Sequence, residues 1–309
     1  MILGIDRITY GVADVATCRK FFLDWGLKLV RESGEALDFE TLNGCEVHVR
    51  HEEDPTLPPA IEDLPTVREV VWGVASRADI DGMRGRLGAD GHYAERYGTL
   101  HATDPNGLAI AIRVTHKRDV NVKGVPINAW GQPGRGVNVR SRFYERAEPI
   151  EVGHVDFFTN ALAETERFYV DKLGFDVSDR YPDRGVFLRC APEGGHHDLF
   201  LLHAPGRQPG INHVAFTVRD VHEVFGGGLH ISRRGWHTEI GPGRHPISSA
   251  YFWYVKNPAG GLAEYYSDED QLDAAWQPRE FEQSPEVFAE WAVTGGIDGN
   301  TRRQSRGPA

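Results

Sequence analysis

Alternating apolar and polar positions run through Arg7-Ile-Thr-Tyr-Gly-Val-Ala and then give way to Asp14-Val-Ala-Thr-Cys-Arg-Lys-Phe-Phe, where apolar residues come at helical spacing. The same passage recurs downstream as His154-Val-Asp-Phe-Phe-Thr-Asn-Ala followed by Leu162-Ala-Glu-Thr-Glu-Arg-Phe-Tyr. In both copies a strand leads into a short helix whose paired aromatics, Phe21 and Phe22 or Phe168 and Tyr169, stand just before a glycine exit. A second strand-to-helix start lies inside each half, at Glu69-Val-Val-Trp-Gly-Val-Ala-Ser and at His213-Val-Ala-Phe-Thr-Val-Arg-Asp. Each half also closes alike: Asp104-Pro-Asn-Gly and Asn257-Pro-Ala-Gly are turn signals followed by a strand.

Four strand-helix-strand modules therefore account for the chain up to about Asp270. Such a module cannot bury both faces of its small sheet alone, so modules should pair around a shared interior. The predicted fold class is α+β: four βαβββ modules paired into two domains, each a curled, barrel-like mixed sheet with helices outside. The expected boundaries are 1–116 for the first module pair, 117–149 for a Pro- and Gly-containing connection, 150–272 for the second pair and 273–309 for a C-terminal helix and tail. Ser284-Pro285 reads as the start of a helix over Glu286 to Val293, and Gly295 to Ala309 as a mobile end.

Strand parity brings in the chemistry. On His213 to Val218 the bulky face is Val214, Phe216 and Val218, which belongs against helices, so His213, Ala215 and Thr217 face the curled interior. The same count turns His154, Asp156 and Phe158 inward, and likewise Leu262, Glu264 and Tyr266. Two imidazoles and a carboxylate thus arrive on one interior from three strands. A buried carboxylate without a partner costs on the order of several kcal/mol, and a divalent cation is one partner that removes the cost.

Composition limits the alternatives. The 309 residues are 40% hydrophobic and 26% charged, an ordinary globular balance. A net charge of −11 and a pI of about 5.7, with no basic stripe, argue against a nucleic-acid partner. No apolar run is long enough to span a bilayer and Met1 to Tyr10 does not read as a signal peptide, so no membrane partner and a cytoplasmic location are expected. Cys18, Cys45 and Cys190 are too scattered for a disulfide framework or thiolate cage. Nine of the 14 histidines fall from His154 onward, which places metal or acid-base chemistry in the second half. His48, His51, His92, His101, His116, His222 and His230 read as surface or loop residues.

The stretch Gly243-Arg-His245-Pro-Ile-Ser-Ser-Ala-Tyr-Phe-Trp-Tyr254-Val-Lys-Asn-Pro258-Ala-Gly260-Gly-Leu-Ala-Glu264, with the two module-start histidines, resembles the vicinal oxygen chelate superfamily. Within it, the chain is similar to the two-domain extradiol ring-cleaving dioxygenases, a resemblance that covers Ile2 to about Asp270. Trp253 departs from the pattern, which usually has a smaller apolar residue there, and is expected to affect the pocket wall. The resemblance implies His154, His213 and Glu264 as metal ligands, Fe(II) as the metal with Mn(II) as a substitute, and O2 as co-substrate. It implies His197 as the group that stabilises reduced dioxygen and moves a proton, Tyr254 as a hydrogen-bond partner of the bound substrate oxygen, and His245 as a donor near the pocket. In an extended segment only one of His196 and His197 can face inward, and the resemblance implies His197, because His197-Asp198 followed by an apolar run matches the family's strand. Arg7, Glu69 and Ile110, read as the counterparts of the three ligands, would leave the first half without a metal.

The expected function is cleavage of a catecholic small molecule beside its two hydroxyls in aromatic compound degradation, by a homo-oligomer. Two rivals stand beside it. One is an enzyme like 4-hydroxyphenylpyruvate dioxygenase, which acts on a keto acid; the other is a protein that sequesters a small molecule without turnover.

Overall fold

The computed structural model of the chain describes residues 1–63, 65–88, 93–282 and 284–297; His92 and the tail from 298 on lie outside the described residues. In the first half, β1 (Ile2–Val12), α1 (Val15–Asp24), β2 (Lys28–Ser33), β3 (Ala36–Glu40) and β4 (Glu46–His51) form one module. The next comprises β5 (Thr66–Val74), α2 (Arg77–Gly88), β6 (Tyr93–Arg96), β7 (Thr99–Thr103) and β8 (Ala109–Val114). Asp14 starts α1 as the sequence suggests: its Oδ1 accepts from the Thr17 amide at 2.9 Å. The eight strands make one mixed sheet in the order β2-β3-β4-β1-β5-β8-β7-β6.

The connection carries a small ribbon, β9 (Asn128–Ala129) with β10 (Gln132–Pro133). The second half then repeats the plan with β11 (Glu151–Phe158), α3 (Leu162–Arg167) running into a π-helical turn over Phe168–Leu173, β12 (Asp176–Tyr181), β13 (Gly185–Arg189), β14 (Gly194–Gly195) and β15 (Leu199–Leu202). Its last module holds β16 (Gly210–Thr217), α4 (Val221–Arg233), β17 (Thr238–Arg244), β18 (Tyr251–Lys256) and β19 (Leu262–Ser267). Ten strands order as β21-β12-β13-β15-β11-β16-β19-β18-β17-β22, where β21 is Arg279–Glu280 and β22 is Trp291–Thr294. The short β20 (Gln271–Leu272) pairs with β14. Side chains from opposite ends of this order, Tyr181 and Phe187 on one side and Ile240 and Tyr254 on the other, wall one cavity, so the sheet is curled.

The helices do more than cover each sheet separately. Phe22 packs on Tyr10 and Phe39 of the first sheet, while Trp25, one turn on, stacks at 3.6 Å on Tyr265 of the second. In exchange, Tyr169 and Phe175 from the second half close on Trp72. One hydrophobic core therefore runs through both halves.

The C-terminal helix expected over Glu286 to Val293 is a single turn, α5 (Pro285–Phe288), and Trp291–Thr294 is instead the strand β22. The reason lies in β17, whose outer edge would otherwise be unpaired; β22 adds to it with Gly243 opposite Ala292 and Arg244 opposite Trp291. Trp-Ala-Val-Thr suits an extended strand better than the helix that Pro285 begins.

Candidate metal centre

Register brings the three inward residues together. His154 of β11 lies opposite Ala215 of β16, Glu264 of β19 lies opposite the same Ala215, and Tyr254 of β18 lies opposite Glu264. The methyl group of Ala215 leaves the space between them open. His154 Nε2 and His213 Nε2 are 3.1 Å apart, and Glu264 Oε2 is 3.1 Å from the first and 3.3 Å from the second. Donors at right angles around an ion with ~2.1 Å bonds lie about 3.0 Å apart, so this triangle has the spacing of one coordination face. Glu264 Oε2 is buried and makes no hydrogen bond despite those short distances. The three atoms converge on a common point, and the residues fit a divalent ion.

The surroundings favour the ligand protonation states of His154 and Glu264. Burial holds the His154 imidazole down at about 4, hence neutral at pH 7. Burial alone would lower His213 too, but Glu264 and Asp156 raise it. Burial would likewise raise Glu264; the imidazoles of His154, His213 and His245 facing its carboxylate hold it well below the usual carboxylate range. The other ring nitrogen of His213 is 3.2 Å from Asn212 Oδ1 and 3.4 Å from Asp156 Oδ2, which turns Nε2 toward the centre. Asp156, which parity also turns inward, is pushed up to about 7 by burial.

Around the triangle is a cavity of about 590 Å³. His197, His245 and Tyr254 line it with the three candidate ligands. The His197 ring lies 4.1 Å from that of His154. Tyr254 Oη and His245 Nε2 are 3.1 Å apart, and the other nitrogen of His245 is 2.6 Å from the Phe288 carbonyl oxygen. A carbonyl only accepts, so His245 carries a proton on Nδ1. Pro285 and Phe288 of α5 also reach this cavity, a contribution with no signature in the sequence near the metal ligands.

Trp253 does not line the cavity. Between Phe252 and Tyr254 it faces the helix side, fully buried, with Nε1 donating to Thr238 Oγ1 at 3.0 Å. Its ring occupies the groove that glycine leaves at Gly228 of α4, where a Cβ would come within 2.0 Å of it. The unusual residue at 253 is thus matched by the helix and leaves the pocket wall untouched.

The first half holds ion pairs at the corresponding place. Its ladder sets Arg7 opposite Val71 and Ala111 opposite Val71, as His154 and Glu264 both face Ala215. The counterpart of Glu264 is therefore Ala111 and not Ile110, whose side chain joins the helix-side core. Arg7 Nη2 donates to Glu69 Oε2 at 2.7 Å, and Glu46 sits 2.9 Å from both Arg113 and His48. His48 was expected at the surface; it belongs to β4 and is mostly buried in this network.

A curled sheet made of two βαβββ modules around a His-His-Glu face defines a class: metal-binding, module-repeat proteins with a ligand face inside a curled sheet. The family model described as Glyoxalase/Bleomycin resistance protein/Dioxygenase superfamily matches residues 151–265. Metapyrocatechase 2 of Cupriavidus necator is 33% identical over 220 residues, which cover 68% of each chain. The chain spans less than half the length of the other curated relatives it matches. Among solved structures, the Mn(II)-bound glyoxalase from Novosphingobium aromaticivorans matches with a TM-score of 0.75 at 24% identity, over 95% of this chain and 92% of that one. A halotolerant catechol dioxygenase matches with a TM-score of 0.72 at 18% identity, over 96% of this chain and 95% of that one. The chain belongs to this superfamily, in its two-domain extradiol dioxygenase branch.

Proposed function

We propose that the protein is an extradiol dioxygenase in which His154, His213 and Glu264 hold Fe(II), with Mn(II) as the alternative ion, and cleave a catechol beside its two hydroxyls. The observation that carries the reading is the convergence of three ligand atoms within 3.1 to 3.3 Å on one side of a cavity. An ion held on one face would offer open positions to both catechol oxygens and to O2, and a path for electrons from ring to dioxygen. The reaction breaks one ring C–C bond and places both oxygen atoms of O2 in the ring-opened product, so no further reductant is needed.

The chain's own groups handle protons. Tyr254 and His245 form a hydrogen-bonded pair that can take up or return a proton at the substrate hydroxyl. His197, whose ring lies beside that of His154 on the cavity wall, can take up a proton as the catechol binds, stabilise as imidazolium the negative charge developing on dioxygen, and pass that proton to it. The boundaries at 117–149 and the cytoplasmic location belong to the same proposal, as does self-assembly. Exposed Trp130, Val137 and Phe143 on the connection support assembly.

The test is oxygen uptake with a panel of substrates. Catechol-dependent uptake with a ring-opened product is expected; keto-acid-dependent uptake would favour the enzyme like 4-hydroxyphenylpyruvate dioxygenase, and tight catechol binding without uptake the sequestering protein. Activity of metal-free protein reloaded with Fe(II) or Mn(II) decides the ion, and sedimentation of the purified chain decides its assembly.

A further inference from the structure

His196 does not line the cavity, yet it is fully buried and makes two contacts that matter to its neighbour. Its Nδ1 is 3.1 Å from His197 Nδ1, and its Nε2 is 3.0 Å from Asp179 Oδ2. Asp179 is also fully buried; Arg279 donates to its Oδ2 from Nη2 at 2.6 Å and to its Oδ1 from the backbone amide at 2.7 Å. The remaining groups around His196 are the Phe187 ring, at 5.4 Å between centroids, and Glu269, which accepts from the His196 amide at 2.9 Å.

The proton positions follow from these partners. Asp179, paired with Arg279, is a carboxylate and can only accept, so His196 must carry its proton on Nε2. An imidazole with a single proton has a lone pair on its other ring nitrogen. His196 Nδ1 is then a lone pair, and His197 must donate to it from Nδ1. That leaves His197 Nε2 bare.

We infer that His196 is a positioning residue, which with Asp179 and Arg279 fixes His197 in the Nδ1–H tautomer and so makes its Nε2 the atom that accepts and returns the proton during turnover. The inference rests on the proposed role of His197. Without the chain, the two tautomers of His197 would compete, and one of them presents an N–H where a lone pair is needed.

Two variants separate the cases. Gln in place of His196 can still accept from His197 and donate to Asp179, whereas Leu can do neither. His196→Leu should lower kcat about 10- to 100-fold, with metal content and anaerobic catechol affinity kept, and His196→Gln should recover most of the loss. Equal loss in both variants, or loss in neither, overturns the inference. His197→Phe is the control: if that enzyme turns over normally, the proposed role of His197 fails instead. A readout independent of any variant is nitrogen NMR of the histidine-labelled, Zn(II)-loaded protein, where His197 should be protonated on Nδ1 and His196 on Nε2. The opposite tautomer on His197 refutes the proposal even if His196→Leu fails to fold.

Discussion

Glu46 illustrates at the scale of one side chain how the first half pairs an inward carboxylate with cations of its own. Although burial alone would raise it, His48 and Arg113 hold its carboxyl down at about 2, against ~4.3 for a free glutamate. The unfolded chain therefore takes up a proton first as pH falls, and the stability this group confers is whole above about pH 4.3 and lost toward pH 2. Glu46→Gln should lower stability at pH 7 and flatten its decline through that acid range, as urea titrations at several pH values would show. The metal face is tested at the same scale. Replacing His154, His213 or Glu264 with Ala should each remove bound iron, measured by emission spectroscopy; retention in any two of the three would refute the assignment. All three were legible by parity, because a strand repeats every two residues and each ligand shares its face with known interior neighbours. The relation between His196 and His197 was not legible: the two lie between β14 and β15, outside the alternation of a strand, and nothing near them in sequence announces Asp179 or Arg279.

At the scale of elements, α4 and α2 respond oppositely to the same change. In α4, a methyl group at Gly228 would enter the Trp253 ring, so Gly228→Ala should cost about 1 to 3 kcal/mol in urea denaturation. In α2, a Cβ at Gly82 meets nothing within 4 Å, so Gly82→Ala should stabilise by about 0.4 to 1 kcal/mol. The glycine run of α4 looks like a weak helix in sequence; in the structure it is what lets β18 approach. The strands β12, β13 and β15 supply a second contrast. Tyr181, Phe187 and Phe200 form an aromatic wall in which the last two stack at 3.9 Å, and no Lys or Arg lines the cavity among the described residues. A catechol bearing an alkyl or aryl group should thus be cleaved with a higher kcat/KM than one of similar size bearing a carboxylate, whose charge would be buried unpaired. Steady-state oxygen uptake on matched pairs checks it.

For the whole molecule, the shared core makes the two curled sheets one cooperative body. Trp25 belongs to the first half but stacks on Tyr265, whose hydroxyl donates to the Trp25 carbonyl at 2.6 Å. Trp25→Ala should cost about 3 to 5 kcal/mol and lower the stability of both halves together, seen as one shifted transition in fluorescence and circular dichroism. Two separate transitions would refute a common core. Metal stoichiometry near one per chain is expected, since the first half sets Arg7 and Ala111 where two ligands would be needed.

The repeat, the order of strands and helices within each module, and the inward faces that carry His154, His213 and Glu264 were determined by the sequence alone. They depend on local period, which every stretch of chain carries within itself. Tertiary structure decided that Trp253 fits against Gly228, that Ala111 and not Ile110 answers to Glu264, and that Trp291–Thr294 leaves the predicted helix to pair with β17. It also decided the chain of partners behind His197. Each of these joins residues far apart in sequence, and such contacts depend on strand register and edge pairing, which exist only once the sheet has closed.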